Sequence, residues 1–555
     1  MERLLGIFSF EVGDGSSLVF TKLDFWLFFL LVMVIFSFLN QKKLVRSIFL
    51  TAVSVFFFFK TSGLYVVLLS LSILFNYFLG RKIYAAEKQS TKKWIITISA
   101  TFNLLILGYF KYAYFFTESF NELFHTSHAL VNHFAQFGNG FMGEEYFSLK
   151  ILLPVGVSFF TFQNISYVVD IYRKEITPVK NFFDYSFFVT FFPQLVMGPI
   201  VRARDFIPQI SQPYSLDKND FSWAIIQIMK GLVKKIVIAD FMLVHFIDKI
   251  ADAPDAYPGF VSVLAMWAYS LHIYADFSGY TDVSIGLSRL MGFKLKPNFN
   301  SPYKALNVAD FWRRWHISLG SWLKDYLYIP LGGNRTGGIG SYIAITLIFV
   351  FLIFITGWYD LLYVYGGLTI VYLIGVATIN DFKRYVHRDL NLIITMVVGG
   401  LWHGASENFV IWGAMNGAAL VIYKYWRKFS FYENSNWWLT NFWKIFITFN
   451  FITFTRIWFK LDEDGMPAVM LNQIWNHFDF TWTLFVTVLK TYHIVFWIML
   501  VGFIIHWMPN KIKEVYEGWF TKMPLVLQTV AVAIIVVLMY QAIGAEQPPF
   551  VYLQF

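Results

Sequence analysis

The chain has 555 residues, 57% of them hydrophobic, 21% aromatic and only 14% charged. Soluble domains carry about a quarter charged residues, so this composition excludes an ordinary water-soluble enzyme and describes an all-α polytopic membrane protein. The net charge of +9 is no nucleic-acid footprint, because Lys and Arg fall in short clusters between apolar runs; the lack of cysteine excludes disulfides, thiolate metal sites and a protein-bound thioester.

A polar stretch, residues 11–17, precedes the first apolar run at 23–39. That run lacks a small-residue cleavage site and reads as a retained anchor. Further apolar runs lie at about 47–59, 63–80, 94–116, 151–171, 232–247, 258–290, 341–357, 362–380, 391–421, 440–459, 485–508 and 524–544. A helical span needs ~17–25 residues, and several of these runs are too short or too broken to be simple spans. Residues 183–201, with Pro193, Gly198 and Pro199, read as a re-entrant hairpin buried in protein.

Basic clusters mark the cytoplasmic side. They are Lys42, Lys43 and Arg46, then Arg81, Lys82, Lys92 and Lys93, then Arg173, Lys174 and Lys180. The loop 117–149 holds Glu118, Glu122, Glu144 and Glu145 and no Lys or Arg, so it reads as extracytoplasmic. The assignment fails at Lys424 to Lys428, and the last third keeps no orientation. Three regions follow: N-terminal helices and their outer loop (1–150), a core at 151–420 and C-terminal helices (421–555).

Residues 310–326 have the pattern of one amphipathic interfacial helix. Trp312, Trp315, Leu319, Trp322, Leu323 and Tyr326 share one face, and Asp310, Arg313, Arg314, Lys324 and Asp325 the other. His316 falls at the edge of the apolar face. Its bland role is to anchor that helix.

In the run 391–421, His403 and Glu407 are the interior titratable groups. An intramembrane histidine marks a functional site or a hydrogen bond between helices. Gly399, Gly400 and Gly404 around it let a long substrate or another backbone come close. With no cysteine and no Gly-x-Ser-x-Gly elbow, a histidine base acting directly on an acceptor hydroxyl is the economical route to acyl transfer. Asp276 and Asp282 lie in another apolar run and need cationic partners, with Arg289 or the basic helix as suppliers; a structural ion pair is their simplest role. His125, His128 and His133 do not share a helical face, so no metal site is expected. Gly138-Asn-Gly-Phe-Met-Gly has no βαβ context and is a decoy.

Several stretches resemble the membrane-bound O-acyltransferase family, in its bacterial alginate O-acetyltransferase branch. They are Phe160-Thr-Phe-Gln-Asn-Ile-Ser-Tyr-Val-Val-Asp-Ile-Tyr-Arg, Phe191-Phe-Pro-Gln-Leu-Val-Met-Gly-Pro-Ile-Val-Arg, Asp276-Phe-Ser-Gly-Tyr-Thr-Asp, Asp310-Phe-Trp-Arg-Arg-Trp-His-Ile-Ser-Leu and Gly399-Gly-Leu-Trp-His-Gly-Ala. The closing stretch 549–555 resembles that branch too. The resemblance implies a helical bundle with re-entrant segments around a central funnel or tunnel, and it makes two spans of the core, at about 339–390, an insertion. It makes His403 the catalytic histidine and His316 the second active-site histidine. Trp402, Asp310, Trp312, Arg313, Arg314, Asn334 and Asp276 are the candidates for binding substrate or donor. No bound cofactor is implied; acetyl-coenzyme A is the expected acyl donor, a periplasmic or cell-surface acetyltransferase the expected partner and an exopolysaccharide the acceptor, at the bacterial inner membrane. Peptidoglycan sugars or teichoic acid D-alanylation are the alternative acceptors. A transporter would call for inverted repeats with paired broken helices, and the sequence has none.

Overall fold

The computed structural model describes residues 19–142, 149–151, 153–335, 339–461, 463 and 465–542, and every regular element among them is helical. The polar stretch 11–17, Glu144, Glu145, Gly143 of the glycine decoy and the closing stretch 549–555 lie outside the described residues. Five described helical runs are long and apolar enough to cross a bilayer, or six if one bent pair counts as a span. The chain is a multi-pass membrane protein. Fewer runs qualify than the apolar pattern contains, because several fold back or break.

The N-terminal part shows how polar ties choose between a long helix and a hairpin. Helix α1 (Leu23–Leu39) precedes α2 (Lys43–Ser62) and α3 (Val66–Ala85). Gly63, at φ 59°, separates α2 from α3. The Thr51 hydroxyl in α2 reaches the carbonyl of Phe183, and the Tyr77 hydroxyl in α3 reaches that of Lys180. Ser62, at the other end, accepts from the Val155 amide. The two arms therefore run antiparallel, as the charge pattern predicts, with Arg46, Arg81 and Lys180 at one end. Helix α4 (Gln89–Phe124) then leads away from that end.

The core begins with α5 (Val157–Tyr172), buried over nearly its whole length. Next, α6 (Phe182–Thr190) and α7 (Phe192–Met197) are too short to cross and bury Phe187, Phe188, Phe191 and Phe192. The chain enters this pair beside Thr51 and by Ile210 has returned to the same end of α2, where Arg46 donates to the Ile210 carbonyl, so the segment is re-entrant. Helices α8 (Lys218–Val233) and α9 (Gly259–Leu290) form the centre. They approach at Gly231 and Gly279, where a Cβ on either would stand 2.5–2.7 Å from the other's carbonyl oxygen; small residues permit such contact where lipid gives no hydrophobic drive. Asp276 on α9 pairs with Lys235 at 2.7 Å, and Asp282 with Lys234 at 2.6 Å. Arg289, expected to serve them, pairs with Asp220 instead. The lysines win because they lie in the π-helical continuation of α8, directly against α9.

The predicted helix over 310–326 is broken. It consists of α10 (Val308–Arg314) and α11 (Ile317–Leu323), separated by extended Trp315 and by His316 at φ 43°. The apolar periodicity runs through both pieces. Asn298 interrupts it by accepting from the amide and hydroxyl of Ser318.

The run 391–421 is corrected too. After α12 (Ile339–Thr356) and α13 (Leu361–Thr378), α14 (Phe382–His403) and α15 (Glu407–Phe429) form a hairpin that turns at His403. A Cβ on Gly400, Gly413 or Gly417 would stand 2.2–3.0 Å from backbone atoms of Phe409, Met396 and Ile393 respectively, which is an antiparallel register. At the open end, Asp389 takes bonds from Arg388, Lys424 and Tyr425. Burial pushes the Asp389 carboxyl up, and those bonds outweigh it to leave it below the ordinary carboxylate range. The return also explains why charge counting fails at Lys424: the segment comes back to the side it left. Helix α16 (Trp438–Thr455) packs next. The run 485–508 is two helices meeting at 87°.

Candidate active site

His403 is the last residue of α14, at the tip of the hairpin. Counting back to Arg388 places it roughly 22 Å from the basic end at 1.5 Å per residue. Two features hold the tip. Ser406 caps α15, its hydroxyl accepting from the Asn408 amide at 3.2 Å. On the α14 side, the final carbonyls lack intrahelical partners, and α4 supplies them. Tyr112 donates to the carbonyl of Leu401 at 2.5 Å, and Lys111 Nζ to those of Trp402 at 2.5 Å and His403 at 3.0 Å. Lys111 escaped the sequence reading. Its signal was there: a lysine in the run 94–116 is an intramembrane cation.

A cavity of about 460 Å³ runs alongside α14, within the range that takes a small-molecule ligand. Arg313, Lys324, Tyr328 and Leu392 line one end, and His316, Gly399, His403 and Trp412 line the other. Leu392 precedes His403 by eleven residues, so the space extends roughly 17 Å along the helix. Lys324 adjoins Asp325, which pairs with Arg202 and whose carbonyl accepts from Arg173. The cationic end of the cavity therefore opens on the same side as Arg173, Lys174 and Lys180.

A second void, of only about 10 Å³, also borders His403 and is lined by Asn416, Thr455, Arg456 and Phe459 among others. Trp312, Trp412 and His403 line both cavities. The two tryptophan rings meet edge-on at 5.6 Å, and His403 stands edge-on to Trp412 at 5.2 Å.

His316 borders the larger cavity with its backbone in the left-handed region. A non-glycine residue there costs on the order of 1–3 kcal/mol and persists only where the surroundings impose it. Here Asn298 Oδ1, already holding Ser318, lies 3.3 Å from His316 Nδ1. The Leu319 amide donates to the same Nδ1 at 3.4 Å, so the His316 ring caps the first turn of α11.

The remaining candidates separate by distance from this space. Trp312 and Arg313 line it. Trp402 stands behind His403, stacked on Phe162 at 5.7 Å. Asp310 accepts from Arg314 at 2.9 Å and steadies the α10 arginines. Asn334 holds the Tyr328 hydroxyl at 2.9 Å. Asp276 lies in its Lys235 ion pair, outside both cavities.

Residues 174–379 match the membrane-bound O-acyltransferase (MBOAT) family; His403 lies beyond that match. The chain is 38% identical over 352 residues to the "Probable alginate O-acetylase AlgI" of Azotobacter vinelandii, covering 63% of this chain and 57% of that one. For the protein of the same name in Pseudomonas aeruginosa the identity is 36%, covering 63% of this chain and 55% of the relative. The match thus spans little more than half the length of these two relatives. The "Peptidoglycan O-acetyltransferase" of Helicobacter pylori is 33% identical over 451 residues, covering 76% of this chain and 72% of that protein. Similarity over that share of a whole relative, joined to the family match, makes this chain a member of the membrane-bound O-acyltransferase family.

Proposed function

We propose that the chain is an O-acyltransferase that takes an acetyl group from acetyl-coenzyme A on the cytoplasmic side and passes it across the membrane for O-acetylation of a secreted polysaccharide such as alginate. One observation carries this reading: His403 stands at the inner end of a ligand-sized cavity whose mouth is cationic. The phosphates of coenzyme A are drawn to Arg313 and Lys324, and the thin pantetheine arm lies along α14 past Gly399, which carries no side chain into the space. His403 accepts the proton of the acceptor hydroxyl as its oxygen attacks the thioester carbonyl. The carbon–sulfur bond breaks, and the imidazolium returns the proton to the departing thiolate. His316 acts beside it as the second active-site histidine, while Trp402 backs the His403 ring. Asp310, Arg314 and Asn334 shape the mouth. A periplasmic or cell-surface acetyltransferase completes transfer to the polymer, with the chain in the bacterial cytoplasmic membrane.

Sealed inverted vesicles test this. Labelled acetyl-coenzyme A added outside should acetylate alginate oligosaccharide trapped within together with the acetyltransferase partner. Transfer only when both lie on one side overturns the route.

A second acceptor is favoured by a specific observation, the longer match to the peptidoglycan O-acetyltransferase of H. pylori. On that reading the label appears in peptidoglycan sugars of intact cells and not in exopolysaccharide.

A further inference from the structure

We propose that Lys111 and Tyr112 of α4 are positioning residues for His403, clamping the end of α14 so that the imidazole faces both cavities; this rests on the reading of His403 as the catalytic base. The argument starts from peptide geometry. The carbonyls of Trp402 and His403 belong to the two peptide planes that flank the His403 Cα. A single ammonium bound to both oxygens, at 2.5 and 3.0 Å, fixes φ and ψ of that residue together. It therefore fixes the direction in which Cβ leaves the backbone. Tyr112 extends the clamp one residue back, through the carbonyl of Leu401.

The location makes such a clamp necessary. His403 ends its helix, and Gly404, in extended conformation, begins the turn. Helix ends fray unless their free carbonyls are satisfied. A frayed tip would let the imidazole swing out of the cavity it shares with His316.

The choice of lysine also follows. Lys111 lies within a run apolar enough to span the bilayer, and among the described residues no carboxylate pairs with it within 4.0 Å. Burying a cation there costs several kcal/mol unless it is compensated. The negative end of the α14 dipole provides compensation. The Trp402 ring adds more, its centroid 5.8 Å from Nζ. The two partners suit each other: a cation has a reason to be there only while α14 ends there. Both side chains come from one continuous helix, so the clamp ties the tip of the hairpin to a rigid neighbour instead of to a loop.

The test uses the full chain in the inverted vesicles described above. Lys111→Met keeps the stem and removes the charge. It should lower kcat roughly 10–100-fold, since displacement of a catalytic group by about 1 Å costs ~10²-fold, with KM for acetyl-coenzyme A nearly unchanged. Lys111→Arg, which still donates to two carbonyls, should restore most of kcat. A purely structural role would lower the amount of folded protein and leave kcat per folded molecule intact, which overturns the proposal. Amide hydrogen exchange over residues 398–406 provides a readout that needs no activity. It should quicken in Lys111→Met and not in Lys111→Arg; equal exchange in all three proteins overturns the clamp. If the native chain transfers no acetyl group, the functional reading fails while exchange still decides the clamp. If Lys111→Met does not accumulate, Tyr112→Phe removes one oxygen and should give a smaller fall in kcat with faster exchange at 401–403. Native values for both overturn the proposal.

Discussion

Two helical hairpins follow one another in this chain, α12–α13 and α14–α15, and both are built from strongly apolar sequence. They end up in different solvents. Only 6% of the α13 segment is buried inside the protein, whereas Ile394, Val397 and Trp412 of the second hairpin are buried. Glycine tells them apart. A Cβ on Gly357, Gly366 or Gly367 in the first would meet nothing within 4 Å and one on Gly375 would meet the Phe382 ring, whereas one on Gly400 or Gly413 in the second would fall 2.2–2.5 Å from backbone oxygens of the facing helix. Apolarity sends both hairpins into the membrane. Close backbone approach then decides which becomes protein interior, and only that interior can enclose a reactive histidine.

The largest expected contrast is chemical. His403→Ala should lower acetyl transfer ~10²–10⁴-fold, the usual loss for a general base, with the amount of membrane protein unchanged. No single substitution in the exposed faces of α12 and α13 should approach this. Acetyl content of the secreted polymer measures it, and near-native acetylation would remove His403 from the role of base.

Next comes packing. Gly400→Val would drive a branched side chain into the Phe409 carbonyl oxygen, 2.2 Å from where its Cβ must sit. The obstacle is backbone, which cannot rotate away, so the hairpin has to splay. Overpacking of this kind costs about 1–3 kcal/mol or more. A fall of several degrees in the thermal midpoint in detergent is expected, along with loss of transfer. An unchanged midpoint would mean that α14 and α15 are not in contact there.

Much of this was legible in the sequence, and the failures share one cause. Hydropathy located most of the long apolar helices but not α8, which precedes the run 232–247; the re-entrant 183–201 segment showed in its prolines and glycines, and the basic clusters gathered Arg46, Arg81 and Lys180 at one end. What periodicity could not reveal was interruption. His316 sits in a pattern that is amphipathic straight through residue 326, yet the Asn298 side chain, from a distant loop, bonds Ser318 and splits the helix. His403 sits in a run long enough to cross, yet the three residues between α14 and α15 turn it back. Both breaks fall on candidate catalytic residues. Long-range polar bonds and close glycine contacts produced them, and neither is visible in a local pattern. Lys111 was missed for a different reason: a lone lysine inside an apolar run belongs to no basic cluster, and only the clusters were read.

A smaller effect comes from the join between the hairpins. The Tyr372 hydroxyl lies 2.8 Å from that of Tyr342 and 2.9 Å from His387 Nε2, and His387 in turn lies 2.9 Å from Tyr342. This triangle fastens the outer hairpin to the start of α14. Tyr372→Phe removes one corner and should cost about 0.5–1 kcal/mol, the scale of hydrogen bonds between membrane helices. Acetyl transfer should hold, because His403 lies sixteen residues further along α14. Loss of transfer with normal stability would show that α13 sets the position of the catalytic tip.

Gly366→Ala should have the least effect, and its sign is what matters. Gly366 lies inside α13, and a Cβ added there meets nothing within 4 Å. In a water-exposed helix the exchange gains about 0.5–1 kcal/mol, because alanine surrenders less backbone freedom than glycine. A helix in lipid is already held to its backbone hydrogen bonds in the unfolded reference, so the gain should shrink toward zero without turning into a loss. The thermal midpoint should stay level or rise slightly, and transfer should be unchanged. Gly400→Ala, the same single methyl, should lower the midpoint through its backbone clash. If Gly366→Ala instead destabilises the protein as much as Gly400→Ala does, the α13 face is covered by something other than acyl chains, and the division of the two hairpins into lipid-facing and interior fails.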